Sequence, residues 1–192
     1  MKNIILIGGG GHCKSVIDVI EKEKKYKIAG IIDKPELFGA KVLGYKIIGS
    51  DLNLDTLVKK SKYALVTIGH IKSSKARVRL FKLAKKAGFI LPTIISPTSY
   101  ISKYSKIGEG TIVMHHAIVN ANTFIGNNCI INSKALIEHD CSILNHCHIS
   151  TNSTINGGVK IGSKCFIGSN VTTKENIKIK ENSFIKAGTL IK

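Results

Sequence analysis

The segment Ile137–Ser150, IEHDCSILNHCHIS, concentrates side chains that could do chemistry: three histidines, two cysteines, one glutamate and one aspartate. Such a set can bind zinc, supply a reactive thiolate, or form a histidine and carboxylate pair that accepts a proton. The choice among these depends on where each side chain points, which the secondary structure of the segment decides.

A six-residue repeat fills the second half of the chain. Every sixth residue from Ile95 to Ile191 is isoleucine or valine, with Thr173 as the one exception among seventeen positions. The residue two places before each of these is always small or aliphatic, and neither column contains a charge. Hexapeptide repetition of this kind predicts a parallel β-helix, in which stacked coils of about 18 residues bury a continuous core.

This register places four cysteines in the core. Cys129, Cys141, Cys147 and Cys165 all occupy the small inward column, so we expect them to fill the core and not to act as nucleophiles or ligands. Five cysteines without a CxxC pair indicate a reducing compartment. No two of the five histidines in this half are 18 or 36 residues apart, so no metal site is expected within one chain. Zinc bound between subunits stays an alternative.

One histidine has a distinctive environment in this register. His139 is expected on the outside of a coil corner, with Glu138 and Asp140 beside it. One coil later come Gly157 and Gly158, which would leave open space next to the imidazole. The imidazole suits a general base, and either neighbouring carboxylate could fix its tautomer. An ordinary polar corner is the alternative.

A second histidine lies half a coil away. His148 follows His139 by nine residues, so the filled core separates the two within one chain. If both act on one substrate, they come from adjacent chains, and a symmetric trimer with sites between its subunits follows. His115, His116 and His146 are expected to be bystanders.

The first half alternates short apolar runs with amphipathic segments. Strands are predicted over residues 3–8, 27–33, 63–69 and 89–95, and helices over 12–25, 51–60 and 73–88. This alternation indicates a small Rossmann-like α/β domain with a parallel sheet over residues 1–92, followed by the β-helix over 93–192.

Glycines follow the first strand and open the first helix, in LIGGGGHCKS. Backbone N–H groups and the helix N-terminus there form a natural phosphate pocket, although the departure from G-x-G-x-x-G does not favour an NAD site. We expect a nucleotide-sugar diphosphate, with a tight turn that binds nothing as the alternative. His12 could contact the phosphate or cap the helix, and Asp33 could accept a hydrogen bond from a ribose or a base. The residues expected at this site are Gly8, Gly10, Gly11, His12 and Asp33.

The chain carries 29 lysines and arginines against 12 acids, a formal charge of +17. The lysines are scattered and only 6% of residues are aromatic, so the sequence lacks the basic, aromatic-studded motif of a nucleic-acid-binding protein. The same charge suits a phosphorylated small molecule such as CoA or a sugar nucleotide. The first apolar run, IILI, is too short for a signal peptide or a membrane span, so we expect a cytoplasmic protein.

With GGGGHCKS, Asp33 and coils that carry INSKALIEHDC and HIS, the chain resembles the bacterial sugar acetyltransferases that join a small nucleotide-binding domain to a left-handed β-helix. That family includes UDP-4-amino-sugar N-acetyltransferases and sialic acid O-acetyltransferases. The resemblance implies a homotrimer with acetyl-CoA as co-substrate, CoA between neighbouring β-helices, and the nucleotide sugar in the N-terminal domain. One departure is Lys34, where some N-acetyltransferases have a second acid.

The resemblance also implies roles for five residues. His139 is the general base, Asp140 its carboxylate partner, and Asn132 a polar active-site residue. His148 contacts the acetyl-CoA thioester from the next subunit, and Gly157 lies along the pantetheine arm.

The prediction for function is an acetyl-CoA-dependent acetyltransferase of bacterial surface-glycan biosynthesis that acts on a nucleotide-linked amino sugar. The sugar amine attacks the thioester directly, His139 removes its proton, and backbone N–H groups near Gly157 stabilise the oxyanion. The alternatives are a hydroxyl acceptor, as in the sialic acid O-acetyltransferases, a nucleotide-sugar-binding trimer without turnover, and a zinc trimer like carbonic anhydrase.

Overall fold

The computed structural model covers residues 1–192, which form two compact units. The first unit contains Met1–Gly69 and Lys75–Pro92, and the second contains His70–Ser74 and Thr93–Lys192. A short segment from the first half of the chain therefore packs with the second unit.

The first unit is an open α/β sheet with strand order β3-β4-β2-β1-β5, in which only the β3–β4 pair is antiparallel. The last four residues of β1, Ile4–Ile7, form an unbroken apolar run that is at most 1% exposed, as expected for a parallel strand covered on both faces. The strands are β1 (Lys2–Ile7), β2 (Tyr26–Ile32), β3 (Lys41–Val42), β4 (Tyr45–Gly49) and β5 (Tyr63–Val66). The helices are α1 (Gly11–Glu23), α2 (Leu54–Leu57) and α3 (Lys75–Lys86), with 3-10 turns at Pro35–Leu37 and Asp51–Asn53.

Three details of this unit differ from the sequence prediction. The predicted helix over 51–60 is only a 3-10 turn and the four-residue α2, because the apolar positions there cover little more than one turn before β5 begins. The β3–β4 hairpin was not predicted; its two-residue loop, Leu43 and Gly44, has positive φ angles of 46° and 87°, as hairpin turns of this length require.

The third difference is the predicted strand over 89–95. Ile90 makes only an isolated bridge to Tyr63, because Pro92 has no N–H to continue a ladder. The residues after the proline, Ile94 and Ile95, belong instead to the second unit, where they pair with Ile112 and Val113.

The second unit contains the predicted left-handed parallel β-helix. Its seventeen two-residue strands form three parallel sheets, and each strand pairs with the one 18 residues later, as Ile131 does with Ile149. The strands are β6 (Ile94–Ile95), β7 (Tyr100–Ile101), β8 (Lys106–Ile107), β9 (Ile112–Val113), β10 (Ile118–Val119), β11 (Phe124–Ile125), β12 (Ile130–Ile131), β13 (Leu136–Ile137), β14 (Ser142–Ile143), β15 (His148–Ile149), β16 (Thr154–Ile155), β17 (Lys160–Ile161), β18 (Phe166–Ile167), β19 (Thr172–Thr173), β20 (Lys178–Ile179), β21 (Phe184–Ile185) and β22 (Leu190–Ile191).

The two inward columns form the core of the β-helix, as predicted. Cys129, Cys141, Cys147 and Cys165 lie in it at most 1% exposed, and all are free thiols. Stacking alone buries these positions, because each coil covers the apolar residues of the previous one.

A third set of positions, again six residues apart, forms the corners of the coils. From His116 to Gly188, every sixth residue has a positive φ between 54° and 71°. Asparagine and glycine are common in this column because they tolerate the left-handed conformation. Asp140 and Gly158 both belong to it, so the turn fixes the backbone at the corner that carries His139.

None of the helices has the length and apolar content needed to cross a lipid bilayer.

Candidate active site

His139 and Asp140 form a pair at the corner between β13 and β14. Both side chains are exposed, and the Nδ1–H of His139 donates a hydrogen bond of 2.7 Å to Oδ2 of Asp140. The bond assigns the proton of the neutral ring to Nδ1 and leaves Nε2 as the basic nitrogen. This is the arrangement that a histidine general base needs.

Residues of the preceding coil hold the two acids at this corner. The amide of Asn122 donates to Oδ1 of Asp140 at 2.6 Å, and the amide of Asn120 donates to the carboxylate of Glu138 at 2.8 Å. Of the two carboxylates flanking His139, only that of Asp140 is bonded to the imidazole. Sequence reasoning missed Asn122, although its distance of 18 residues from Asp140 is one full coil and could have identified it.

Each member of the pair shifts the pKa of the other. The hydrogen bond to Asp140 raises the pKa of His139 above its ordinary value, against a smaller opposing effect of desolvation. The pKa of Asp140 is lowered, first by the hydrogen bond from Asn122 and then by the one from His139. The carboxylate therefore stays charged and strengthens the imidazole as a base.

The space next to the imidazole depends on glycine. A Cβ at Gly157 would lie 2.8 Å from Cε1 and 2.9 Å from Nε2 of His139, closer than van der Waals contact allows. Gly158 has a φ of 71°, and a side chain there would collide with Asn176. A cavity of about 340 Å³ opens at this corner and is lined by residues of three successive coils, including Asn156 and Glu175.

Asn132 and His148 lie together, away from this cavity. The amide of Asn132 lies 3.3 Å from Nε2 of His148, whose Nδ1–H donates to the backbone oxygen of His70 at 2.8 Å. The His148 ring packs edge-on against Phe166 and is 7% exposed. No hydrogen bond joins Asn132 or His148 to His139, so one chain holds the predicted residues in two separate groups.

The remaining histidines of the β-helix contact the coil before them. Nδ1 of His115 lies 2.7 Å from the hydroxyl of Ser96, and Nδ1 of His146 lies 3.0 Å from the amide of Asn128. No three histidine, cysteine or acidic side chains are grouped in a way that could hold a metal ion.

The first unit has its own cavity, of about 260 Å³, where β1 and β2 end. Gly8 lines it with a φ of 105°, and a side chain there would collide with Ile68. Asp33 also lines it; its carboxylate accepts hydrogen bonds from the N–H of Gly9 at 2.5 Å and of Lys34 at 2.8 Å. Asp33 thus stabilises the loop that contains Gly8 and Gly9, in addition to any contact with a ligand.

The other predicted residues of the first unit lie at the start of α1. Gly10 is the N-cap residue and Gly11 begins the helix; a Cβ at either would meet nothing within 4 Å. His12, in the first turn, lies beside Gly69 and is not among the residues that line the cavity with Asp33. Sequence reasoning also missed Arg79, which lines this cavity and forms an ion pair of 2.8 Å with Asp51.

Two known families match parts of the chain. The family described as PglD N-terminal domain matches residues 3–82, and the one described as bacterial transferase hexapeptide, with six repeats, matches residues 122–157. The chain is similar to the UDP-N-acetylbacillosamine N-acetyltransferase of Bacillus subtilis (strain 168), with 31% identity over 116 residues. This alignment includes 59% of the chain and about half, 52%, of that relative.

Two solved structures are similar over essentially the whole chain. One is perosamine N-acetyltransferase from Caulobacter crescentus, a variant with one histidine replaced by asparagine, in complex with CoA and GDP-perosamine; identity is 30% and the TM-score 0.93, covering 100% of this chain and 89% of that one. The other is the acetyltransferase domain of PglB from Neisseria gonorrhoeae FA1090 in complex with acetyl coenzyme A, with 26% identity and a TM-score of 0.89, covering 99% and 92%.

Proposed function

The chain belongs to the bacterial sugar acetyltransferases built on hexapeptide repeats, and from this premise we propose that it transfers the acetyl group of acetyl-CoA to the amino group of a nucleotide-linked amino sugar. The observation that carries the proposal is the corner of His139, where Asp140 fixes one ring nitrogen and the other faces the open space beside Gly157. The B. subtilis and C. crescentus relatives, both N-acetyltransferases, favour an amine over a hydroxyl acceptor.

The reaction needs one base and one oxyanion site. The amine nitrogen attacks the thioester carbonyl while Nε2 of His139 takes up its proton. The C–S bond then breaks, and the imidazolium returns the proton to the CoA thiolate, which leaves as the free thiol. Asp140 stabilises the imidazolium, and backbone N–H groups beside Gly157 donate to the oxyanion.

The nucleotide is proposed to bind the first unit. Ligands of open α/β sheets bind at the carboxyl ends of the strands, where Gly8 and Asp33 line the 260 Å³ cavity. The open N-terminus of α1 at Gly10 and Gly11 suits the diphosphate, and His12 lies in the same turn. The relatives differ in nucleotide, UDP in one and GDP in the other, so the base is part of the test.

We also propose a homotrimer. Asn132 and His148 lie on a different part of the β-helix from His139, so they can serve the same substrate only from a neighbouring subunit. In that arrangement His148 contacts the thioester and Gly157 lies along the pantetheine arm. Light scattering during size-exclusion chromatography tests this: a mass of three 20.8 kDa chains is expected, and a monomer at assay concentration would refute the shared site.

Release of CoA from acetyl-CoA tests the reaction. The acceptors are UDP- and GDP-linked amino sugars, CMP-sialic acid, free sialic acid, and UDP and GDP without a sugar. Turnover with an amino sugar and a product heavier by one acetyl group on nitrogen are expected. Acetylation of a hydroxyl would indicate an O-acetyltransferase, and nucleotide binding without CoA release would indicate a binding protein.

A further inference from the structure

Polar residues of the inward columns donate hydrogen bonds to the corners of the β-helix. In each case the side chain bonds to the carbonyl oxygen 15 residues later, at the corner of the next coil. The bonds are Thr111 to Gly126 (2.7 Å), Thr123 to Glu138 (2.7 Å), Cys129 to Leu144 (3.2 Å), Cys141 to Asn156 (3.2 Å), Cys147 to Gly162 (3.0 Å), Ser153 to Gly168 (2.8 Å) and Cys165 to Lys180 (3.0 Å). The inward residues therefore do more than fill space.

Two of these bonds end at residues that line the candidate active-site cavity, the Thr123 bond at Glu138 and the Cys141 bond at Asn156, and the second involves the peptide that precedes Gly157. Cys141 follows Asp140 in the chain, and its S–H donates to the carbonyl oxygen of Asn156, which lines the 340 Å³ cavity. That carbonyl belongs to the same peptide group as the N–H of Gly157. Because the chain has no cis peptide bond, the N–H points opposite to the carbonyl, away from the core and toward the cavity.

The N–H of Gly157 is free to bind a ligand. It donates to no backbone or side-chain acceptor of the chain, whereas the N–H of Gly158 is bonded to the oxygen of His139 at 3.0 Å. The neighbouring peptides are held by other bonds, because the N–H of Asn156 donates to Thr173 at 2.9 Å and the oxygen of Gly157 accepts from the N–H of Asn176 at 2.9 Å. The carbonyl of the Asn156–Gly157 peptide accepts the bond from Cys141, which therefore fixes the direction of this one peptide.

The thiol is suited to this task. Cys141 is 1% exposed, and burial raises its pKa, so the sulfur keeps the proton that it donates. Its sulfur is nearer to the oxygen of Asn156, at 3.2 Å, than to that of Ile155, at 3.9 Å.

We propose that Cys141 is a positioning residue, whose S–H holds the Asn156–Gly157 peptide so that the Gly157 N–H is aimed at the carbonyl oxygen of the acetyl thioester. The inference rests on the proposed acetyl transfer. It assigns a cysteine that touches no substrate a role in transition-state stabilisation. A preorganised donor acts on the oxyanion more than on the bound thioester, so the effect belongs to kcat and not to KM.

Two variants of Cys141 remove the hydrogen-bond donor, and a third replaces the S–H with an O–H. Cys141→Ala and Cys141→Val both lose the S–H, and valine fits this column because Val159 occupies the equivalent position one coil later. Cys141→Ser keeps a hydroxyl, and Ser153 makes the equivalent bond at another corner. The matched control is Cys129→Ala, which removes a bond of the same 3.2 Å length to Leu144, outside the cavity.

Steady-state kinetics with acetyl-CoA and thermal melting distinguish positioning from packing. The two donor-free variants should lower kcat about tenfold, with KM for acetyl-CoA within about twofold of the wild type. Cys141→Ser should recover most of that loss. Cys129→Ala should lower Tm about as much as Cys141→Ala does, yet keep the wild-type kcat.

Three results would overturn the inference, and the first two are a wild-type kcat in the donor-free variants and an equal loss of kcat in Cys129→Ala and Cys141→Ala. If serine failed to restore kcat while alanine had lowered it, the hydrogen bond would also be refuted as the cause. No CoA release by the wild-type protein with any amino-sugar acceptor would instead refute the proposed function.

Discussion

Two histidines of the same β-helix differ in what lies one coil below them. Below His139 is Gly157, which leaves the ring beside open space. Below His148 is Phe166, in register with it, and the aromatic ring closes the equivalent space. The residue 18 positions later thus decides how much open space an outward histidine has beside its ring within one chain.

Their hydrogen-bond partners differ in the same sense. His139 donates to a carboxylate, which raises its pKa and strengthens it as a base. His148 donates to the uncharged backbone oxygen of His70, which orients the ring without adding a charge. Identical side chains nine residues apart therefore have different properties: His139 is an exposed imidazole paired with a carboxylate, and His148 is a largely buried ring fixed by a backbone oxygen.

The largest effect is expected when each histidine is replaced by alanine. His139→Ala should lower kcat by roughly 10² to 10⁴ with little change in Tm, because the ring is exposed. His148→Ala should lower Tm by roughly 4 to 10 °C, because it empties a packed site and removes the hydrogen bond from the ring to the oxygen of His70. CoA-release kinetics and differential scanning fluorimetry measure the two effects. Near-normal turnover of His139→Ala would refute its assignment as the base.

Repetition explains why this corner could be read from the sequence. In a β-helix, residues in contact across coils are 18 residues apart in the chain, so counting places Gly157 beneath His139. The six-residue repeat likewise predicts that Cys141 points inward. The same count would have found Asn122 beside Asp140. The contact of His148 with His70 spans 78 residues and crosses from one pattern to the other, so no spacing predicts it.

The first unit was harder to predict for the same reason. Its longer strands and helices have apolar patterns of their own, so β1, β2, β5, α1 and α3 were found. The β3–β4 hairpin has short strands, of two and five residues, and its sequence signal is Gly44, a residue type that tolerates the positive φ of the turn, which sequence reasoning did not use. The cavity residue Arg79 is placed by packing between elements, which leaves no local pattern.

The second prediction concerns the carboxylate of Asp140, which His139 has as a partner and His148 lacks. Asp140→Asn should lower kcat about 10²-fold, because an amide does not stabilise the imidazolium. The carboxylate raises the pKa of His139, so its loss should lower that pKa and move the acidic limb of the kcat/KM profile to lower pH. Profiles over about pH 5 to 9 test this. Glu138→Gln is the control, because that carboxylate is held by Asn120 and should shift the limb less; an unchanged limb in Asp140→Asn would contradict the pairing.

The third prediction concerns the open space beside His139, which a side chain at position 157 would fill as Phe166 fills the space beside His148. Gly157→Ala places a methyl group within 3 Å of the imidazole, so we expect a displaced ring and a loss of kcat/KM of about tenfold or more. Tm should change little, because the corner is partly open. Steady-state kinetics and thermal melting give both values, and a variant as active as the wild type would show that the space beside Nε2 is not used.

The smallest loss of activity is expected from replacing Asn122, which contacts Asp140 and not the imidazole itself. Asn122 lowers the pKa of Asp140 through its 2.6 Å hydrogen bond, so Asn122→Ala should raise that pKa, let the Asp140 side chain move, and reduce kcat about threefold to tenfold. Alanine at a φ of 57° also strains the backbone. Asn152→Ala controls for this strain, because Asn152 has the same φ of 57° and bonds to Asn170 at 2.7 Å, away from His139. Both variants should lose similar Tm, but only Asn122→Ala should lose activity, most strongly at acid pH, where the pair is easiest to protonate. Equal activity in the two variants would mean that His139 needs only the carboxylate beside it and not the coil before it.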